Sequence, residues 1–275
     1  MPTSPRHFRP VAPRVRWLGV GLLPLLFLPA AGAALQGAPT CPAPSRGEAC
    51  EIRTFQLDLP DRRLQITDVA SGSVMVEGWD GEGARVQARI TARSRLGRSP
   101  ASIVEGVEIQ AGDGRISAAG PEGLLGGTSW SVSYWIQVPR GTELELDVTN
   151  GRIQVQQVEG PVAATSTNGR IRLDHVDGWV RARTTNGSVD VGFREGARLR
   201  ESVQVEGTNG SITLTVPRSL DATLQATTTN GSIGGDLPLD TTGQRGSRQA
   251  TATLGAGGPE ILLRTTNGSI RIRTP

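Results

Sequence analysis

From Glu51 to the end of the chain, apolar and polar residues alternate in short runs, and turn residues separate one run from the next. Ile153-Gln154-Val155, Ile171-Arg172-Leu173, Val189-Asp190-Val191, Ser211-Ile212-Thr213-Leu214-Thr215-Val216 and Ile270-Arg271-Ile272 all follow this pattern. A period of two carried by β-branched residues predicts strands with one face toward a core. No helix is predicted in this region. The 36 glycines and 18 prolines fit the same picture, because turns are where those residues belong.

The turn between runs recurs. Thr149-Asn150-Gly151, Thr167-Asn168-Gly169, Thr185-Asn186-Gly187, Thr208-Asn209-Gly210, Thr229-Asn230-Gly231 and Thr266-Asn267-Gly268 follow one another at steps of 18, 18, 23, 21 and 37 residues. The last step is about two of the shorter ones. A period near 20 with an invariant corner, followed by Arg or Ser and then Ile or Val, predicts an all-β, single-domain β-solenoid (β-helix) of about 18–23-residue coils. In each coil the strand after the turn points Ile153 and Val155, or Ile171 and Leu173, inward. A second strand follows Gly160 or Gly178 and carries Val162 and Ala164, or Val180 and Ala182. Stacked in chain order, Ile153, Ile171, Val189, Ile212, Ile233 and Ile270 are expected to form one internal row. Asp68 to Val76 aligns with Asp147 to Val155 as a worn copy of the same unit, and Gly112 to Ile116 sits 37 residues before the first Asn-Gly. Residues 93–102, 119–129 and 234–250 read as looser loops.

A sharp corner calls for positive φ, which Gly takes freely and Asn tolerates. Asn stacked on Asn also allows side-chain amides to bond along the axis. Asn150, Gly151, Asn168, Gly169, Asn186, Gly187, Asn209, Gly210, Asn230, Gly231, Asn267 and Gly268 are therefore expected to form a structural turn ladder with buried amides. Four of these turns match the glycosylation sequon, beginning with Asn186-Gly187-Ser188, a match that follows trivially from the repeat.

Residues 1–33 hold Arg6, Arg9, Arg14 and Arg16, no acid, and then an apolar run from Trp17 to Leu28 closed by Ala31-Gly32-Ala33. This is the layout of a secretory signal peptide. The run is broken by Gly19, Gly21 and Pro24 and is shorter than the roughly 20 residues of a membrane span, so no transmembrane span is expected after cleavage. Cleavage changes the charge. The whole chain has 29 basic and 26 acidic residues, and losing four arginines leaves 25 against 26. The isoelectric point of 9.6 therefore belongs to the precursor, and no nucleic-acid partner is implied. Cys41 and Cys50, nine apart in an exported chain, most simply form one local disulfide. The alternative, a lipidated Cys41, is disfavoured by Ala38-Pro39-Thr40, which lacks the expected small residue before the cysteine. The organisation expected is signal peptide 1–33, an N-terminal segment 34–51 with the disulfide, and a solenoid 52–275.

The closing stretch Gly255 to Ile270, with Pro259-Glu260-Ile261-Leu262-Leu263-Arg264-Thr265-Thr266-Asn267-Gly268 at its centre, resembles the C-terminal signature of a bacterial family of adhesin-like proteins, a domain of unknown function. Val138-Pro139-Arg140-Gly141-Thr142 and Val216-Pro217-Arg218-Ser219-Leu220 resemble its recurring inner motif. The resemblance covers residues 52–275. It implies a β-solenoid in an envelope or surface protein and supplies no catalytic residues.

Chemistry is sparse in this sequence. Asp174-His175-Val176-Asp177-Gly178 is the densest candidate for acid–base work or a calcium ion, but its counterpart one coil earlier, Gln156-Gln157-Val158-Glu159-Gly160, is a plain polar corner. Two thiols and His175 make no zinc set, and no catalytic elbow or phosphate loop occurs. No metal or cofactor is expected. Thr165-Ser166-Thr167, Thr184-Thr185 and Thr227-Thr228-Thr229 predict a repeated hydroxyl array that could read a glycan. Trp130, Tyr134 and Trp135 form an aromatic group that suits packing or a sugar contact. The expected function is a non-enzymatic exported scaffold, in the periplasm, on the cell surface or secreted, with an envelope protein or glycan as partner. The alternative is a carbohydrate-active enzyme, lyase or hydrolase, on a β-helix.

Overall fold

The computed structural model describes residues 39–43, 45–95, 97–122, 127–244 and 247–275. The expected signal peptide lies outside the described residues, and the unit described below is Leu35–Pro275. Its strands are β1 (Glu48–Leu57), β2 (Arg63–Ser71), β3 (Val74–Trp79), β4 (Ala84–Arg93), β5 (Glu108–Gly112), β6 (Arg115–Ala119), β7 (Ser129–Pro139), β8 (Glu143–Asn150), β9 (Ile153–Gln156), β10 (Val162–Asn168), β11 (Ile171–Val176), β12 (Val180–Asn186), β13 (Val189–Phe193), β14 (Val203–Asn209), β15 (Ile212–Thr215), β16 (Ala222–Asn230), β17 (Ile233–Gly235), β18 (Asp240–Gln244), β19 (Ser247–Leu254), β20 (Glu260–Asn267) and β21 (Ile270–Arg273), with one helix, α1 (Pro100–Glu105).

The strands form two sheets, ordered β1-β4-β7-β3-β9-β11-β13-β15-β21-β17 and β18-β19-β16-β20-β14-β12-β10-β8-β2-β6-β5. Each coil places one strand in each sheet and turns between them at Asn-Gly. Successive coils pair parallel and in register, with Asn150, Asn168 and Asn186 directly beside one another. The aliphatic side chains of both sheets meet between them, so that Ile153, Ile171, Val189, Ile212 and Ile270 are buried in one row. No coil can bury its apolar face alone; the stack supplies the core. The worn copy is a true coil. Val69 pairs with Val148, Ser71 with Asn150 and Val74 with Ile153, after a register shift at Asp68, whose φ is 61°.

Three expectations are corrected. The final coil is not at the end of the stack: β20 lies between β14 and β16, and β21 between β15 and β17. The 37-residue step holds no second coil. It contains the antiparallel pair β18–β19, with β19 against the outer edge of β16. One edge of β16 is thereby covered, and the edge left for β20 is the one facing β14. The sequence agrees with this placement. Ile233-Gly234-Gly235 is a short, weak strand suited to an edge, whereas Ile261-Leu262-Leu263 and Ile270-Arg271-Ile272 are full strands suited to an interior position. Ile233 is only partly buried as a result.

The second correction is a helix where a loop was expected. Ser99 caps α1 through its hydroxyl, which accepts from the Ser102 N–H at 3.2 Å, and Pro100 opens it. At the other end the Arg53 guanidinium donates to the carbonyls of Val104 (3.2 Å) and Val107 (2.5 Å). Ile103 and Val104 are buried against the core. Third, Gly112 to Ile116 is not a coil corner but the turn of the β5–β6 hairpin, with Asp113 and Gly114 at φ 49° and 71°.

Candidate functional site

The corner column is built from four parallel rows of groups. In the backbone, each Asn carbonyl accepts from the glycine N–H of the neighbouring coil, as in Gly151 to Asn168 (3.0 Å), Gly169 to Asn186 (2.9 Å) and Gly210 to Asn267 (2.9 Å). In the side chains, Asn168 donates from Nδ2 to Asn150 Oδ1 (2.8 Å), Asn186 to Asn168 (2.8 Å), Asn209 to Asn186 (2.9 Å), Asn267 to Asn209 (2.8 Å) and Asn230 to Asn267 (2.8 Å). Asn150 donates to the Ala70 carbonyl at 3.0 Å, where the worn coil offers Ser71 and no amide. These asparagines are exposed, and the expectation of buried amides is corrected.

The glycines are demanded by contact between coils. A Cβ on Gly151 would lie 1.6 Å from the Gly72 carbonyl oxygen, on Gly169 1.6 Å from that of Gly151, and on Gly231 1.9 Å from that of Gly268. The asparagines do not carry positive φ. Among the described non-glycine residues that conformation falls at the opposite corner, on Gln157 (56°) and His175 (52°), as well as on Arg62, Asp68 and Asp113.

Two residues before each asparagine, strand alternation turns the side chain inward. Ser166, Thr184, Thr228 and Thr265 are buried there. Their hydroxyls donate to the glycine carbonyls of adjacent coils: Thr184 to Gly169 (3.1 Å), Thr228 to Gly268 (2.8 Å), Thr265 to Gly210 (2.9 Å), and Ser166 to Gly151 at a longer 3.5 Å. The hydroxyl array therefore divides. One part of it, the four buried residues, is a structural row that the sequence reading assigned to the surface, although the period-two pattern carried the signal. The other part, Thr149, Thr167, Thr185, Thr208, Thr229 and Thr266, is exposed beside the asparagines.

The acid cluster does not converge. Asp177 is bound by Arg194 through Nη2 (2.6 Å) and Nε (3.0 Å) and accepts from the Arg198 N–H at 3.2 Å. These bonds fix the loop that makes this coil 23 residues long. Asp174 instead meets Arg172 (3.4 Å) and His175 (3.3 Å). The aromatic residues also part. Tyr134 is fully buried, and burial pushes its phenol above the ordinary value. Trp130 donates from Nε1 to the Pro121 carbonyl at 3.2 Å, and Trp135 lies under the Arg89 guanidinium, 5.0 Å away. Cys41 and Cys50 are joined in a disulfide with Cα atoms 5.7 Å apart.

The stack of in-register coils lies within the span of a family model: Toastrack DUF4097 matches residues 64–273. The chain belongs to this family. Its domain is one of unknown function and its fold a β-solenoid. No curated protein matches the Toastrack chain. Similar solved structures include a candidate cell adhesion protein from Clostridium sporogenes, 11% identical, covering 82% of this chain and 100% of its own, at a TM-score of 0.44. A candidate adhesin from Bacteroides fragilis is 13% identical over 82% of this chain and 97% of its own, at 0.34. A candidate lipid binding protein from Parabacteroides distasonis is 11% identical over 82% and 96%, at 0.26. At these TM-scores none of the three bears on activity. Among the described residues no helix is long and apolar enough to cross a membrane, which says nothing of strands.

Proposed function

We propose that this Toastrack protein is a non-enzymatic, exported scaffold of the cell envelope or surface, with a signal peptide at 1–33, a disulfide-closed segment at 34–51 and a binding solenoid at 52–275. The observation that supports it is the exposed column of Asn and Thr, uncharged and repeated once per coil at the roughly 4.8 Å spacing of paired strands. A row of identical donors and acceptors at fixed intervals suits a partner that is itself extended or periodic, such as an envelope glycan or a protein edge. The disulfide agrees with an oxidising compartment. The rival reading, a carbohydrate-active enzyme, needs carboxylates facing one groove; Asp177 is occupied by Arg194, and Asp174 by Arg172 and His175.

The test is retention of envelope fractions on the immobilised protein, with an unrelated β-solenoid as control. Wild type is expected to retain a defined glycan or protein, and Thr185→Arg together with Thr208→Arg, which place bulk and charge in the column, to release it. Retention no better than the control, or untouched by the double variant, would remove the column as the binding surface.

A further inference from the structure

At the N-terminal end of the stack, the segment closed by Cys41–Cys50 stands over a cleft of about 890 Å3. Its floor is the outward face of β4 and β7. Ala88, Ile90 and Ala92 point into the core, so Arg89, Thr91 and Arg93 point the other way, beside Ser129 and Ser131. The roof is pinned twice, because Cys50 sits opposite Thr91 in the β1–β4 ladder and carries the disulfide, and Arg89 Nη1 donates to the Thr40 carbonyl at 3.4 Å.

We propose that this cleft binds the carboxylate-bearing part of an acidic saccharide. The site is separate from the corner column, although it reaches Ser71 at the column's first position, and it stands whether or not the column binds anything. Its charge is the first argument. Arg93 is paired with Glu48 at 2.7 Å, but among the described residues Arg89 has no acidic partner, and its buried Nε–H has no acceptor. The Trp135 ring beneath it holds the guanidinium in place. A cleft with one uncompensated, preorganised guanidinium favours an anion such as a carboxylate. The walls are the second argument. The Thr91 and Ser131 hydroxyls lie 2.8 Å apart, so one donates to the other and the pair still offers lone pairs and a proton. With Ser129 they suit a polyol, Pro42, Ala43 and Trp130 add apolar surface for the face of a sugar ring, and the hydroxyls interrupt the unbroken apolar wall that an acyl chain would need. The volume is that of a site for a small ligand, a short oligosaccharide included.

Isothermal titration calorimetry of the full chain, purified after export, tests this with trigalacturonate as the probe and its methyl ester and phosphatidylglycerol vesicles as comparators. Saturable binding of trigalacturonate is expected, weakened at least about tenfold by Arg89→Gln and unchanged by Arg271→Gln at an exposed position of β21. If Arg89→Gln fails to fold, Thr91→Ala, which leaves the stack on Trp135 intact, is expected to weaken binding several-fold. Absence of saturable binding, equal affinity for the neutral ester, or unaltered affinity in both cleft variants would overturn the proposal. Binding of the vesicles in place of the saccharide would overturn it in favour of a lipid headgroup. Loss of envelope retention with cleft affinity intact would count against the scaffold reading and leave the cleft in place.

Discussion

At the scale of single residues, the corner glycines outweigh the asparagines. A methyl group on Gly169 would sit 1.6 Å from a backbone oxygen held in the sheet, so Gly169→Ala requires two coils to separate. A loss of more than about 3 kcal/mol in the unfolding free energy from urea denaturation is expected, at the upper end for single substitutions. Asn186→Ala removes exposed amide bonds and is expected to cost about 0.5–1.5 kcal/mol. An equal cost for both would show that the amide row, and not the close approach, sets the corner. Thr184→Val, which leaves the Gly169 carbonyl without its buried donor, belongs between them at about 1–3 kcal/mol.

Tyr134 makes a different residue-scale case, being the one tyrosine of the chain. Among the described residues its buried hydroxyl has no hydrogen-bond partner, so Tyr134→Phe removes an unsatisfied group and is expected to leave stability unchanged or raise it. Burial raises the folded pKa above the unfolded one. Its contribution is therefore fully present below the unfolded value and is lost as pH rises. Phenolate absorbance should appear only together with loss of the strand signal in circular dichroism, and a tyrosine that titrates in the folded protein would contradict this burial.

At the scale of elements, α1 depends on a side chain 51 residues away. The Arg53 guanidinium takes up the carbonyls of Val104 and Val107 at the helix C-terminus, where a cation also meets the negative end of the helix dipole. Arg53→Met should leave the solenoid strands protected from hydrogen exchange and expose α1 and the residues just after it. Protection unchanged in α1 would mean that the Ser99 cap and the burial of Ile103 and Val104 are sufficient. The coil of 23 residues follows the same logic, since the added loop is held by Arg194 on Asp177, a residue that the repeat alignment presented as an ordinary corner polar group.

At the scale of the whole stack, insertion of β20 and β21 makes the coil of β16 and β17 depend on the end of the chain. Until residues 260–273 arrive, β14 and β16 have no strand between them. Deleting residues 259–275 is expected to lower the urea midpoint steeply and to broaden the transition, because the core row from Ile212 to Ile233 loses Ile270 and the Asn209 and Asn230 side chains lose Asn267. A truncated protein with the original midpoint would show that the two coils close directly on each other.

Strand period, the Asn-Gly corner and the worn coil at Asp68 to Val76 were all legible in the sequence, because they depend on local alternation and on one turn repeated. The inward hydroxyl row was legible too, but only once each Thr or Ser was assigned to a face by its distance from the asparagine. Coil order was not. Parallel strands of equal pattern can stack in any sequence that leaves their edges paired, and only the covering of β16 by β19 decided where β20 lies. The reason for glycine was also hidden, since a carbonyl 1.6 Å from an absent Cβ belongs to a coil 18 residues or more away. The cleft near Arg89 comes last for the same reason: its floor, roof and unpaired charge are drawn from β4, β7 and the disulfide segment, which only the fold brings together.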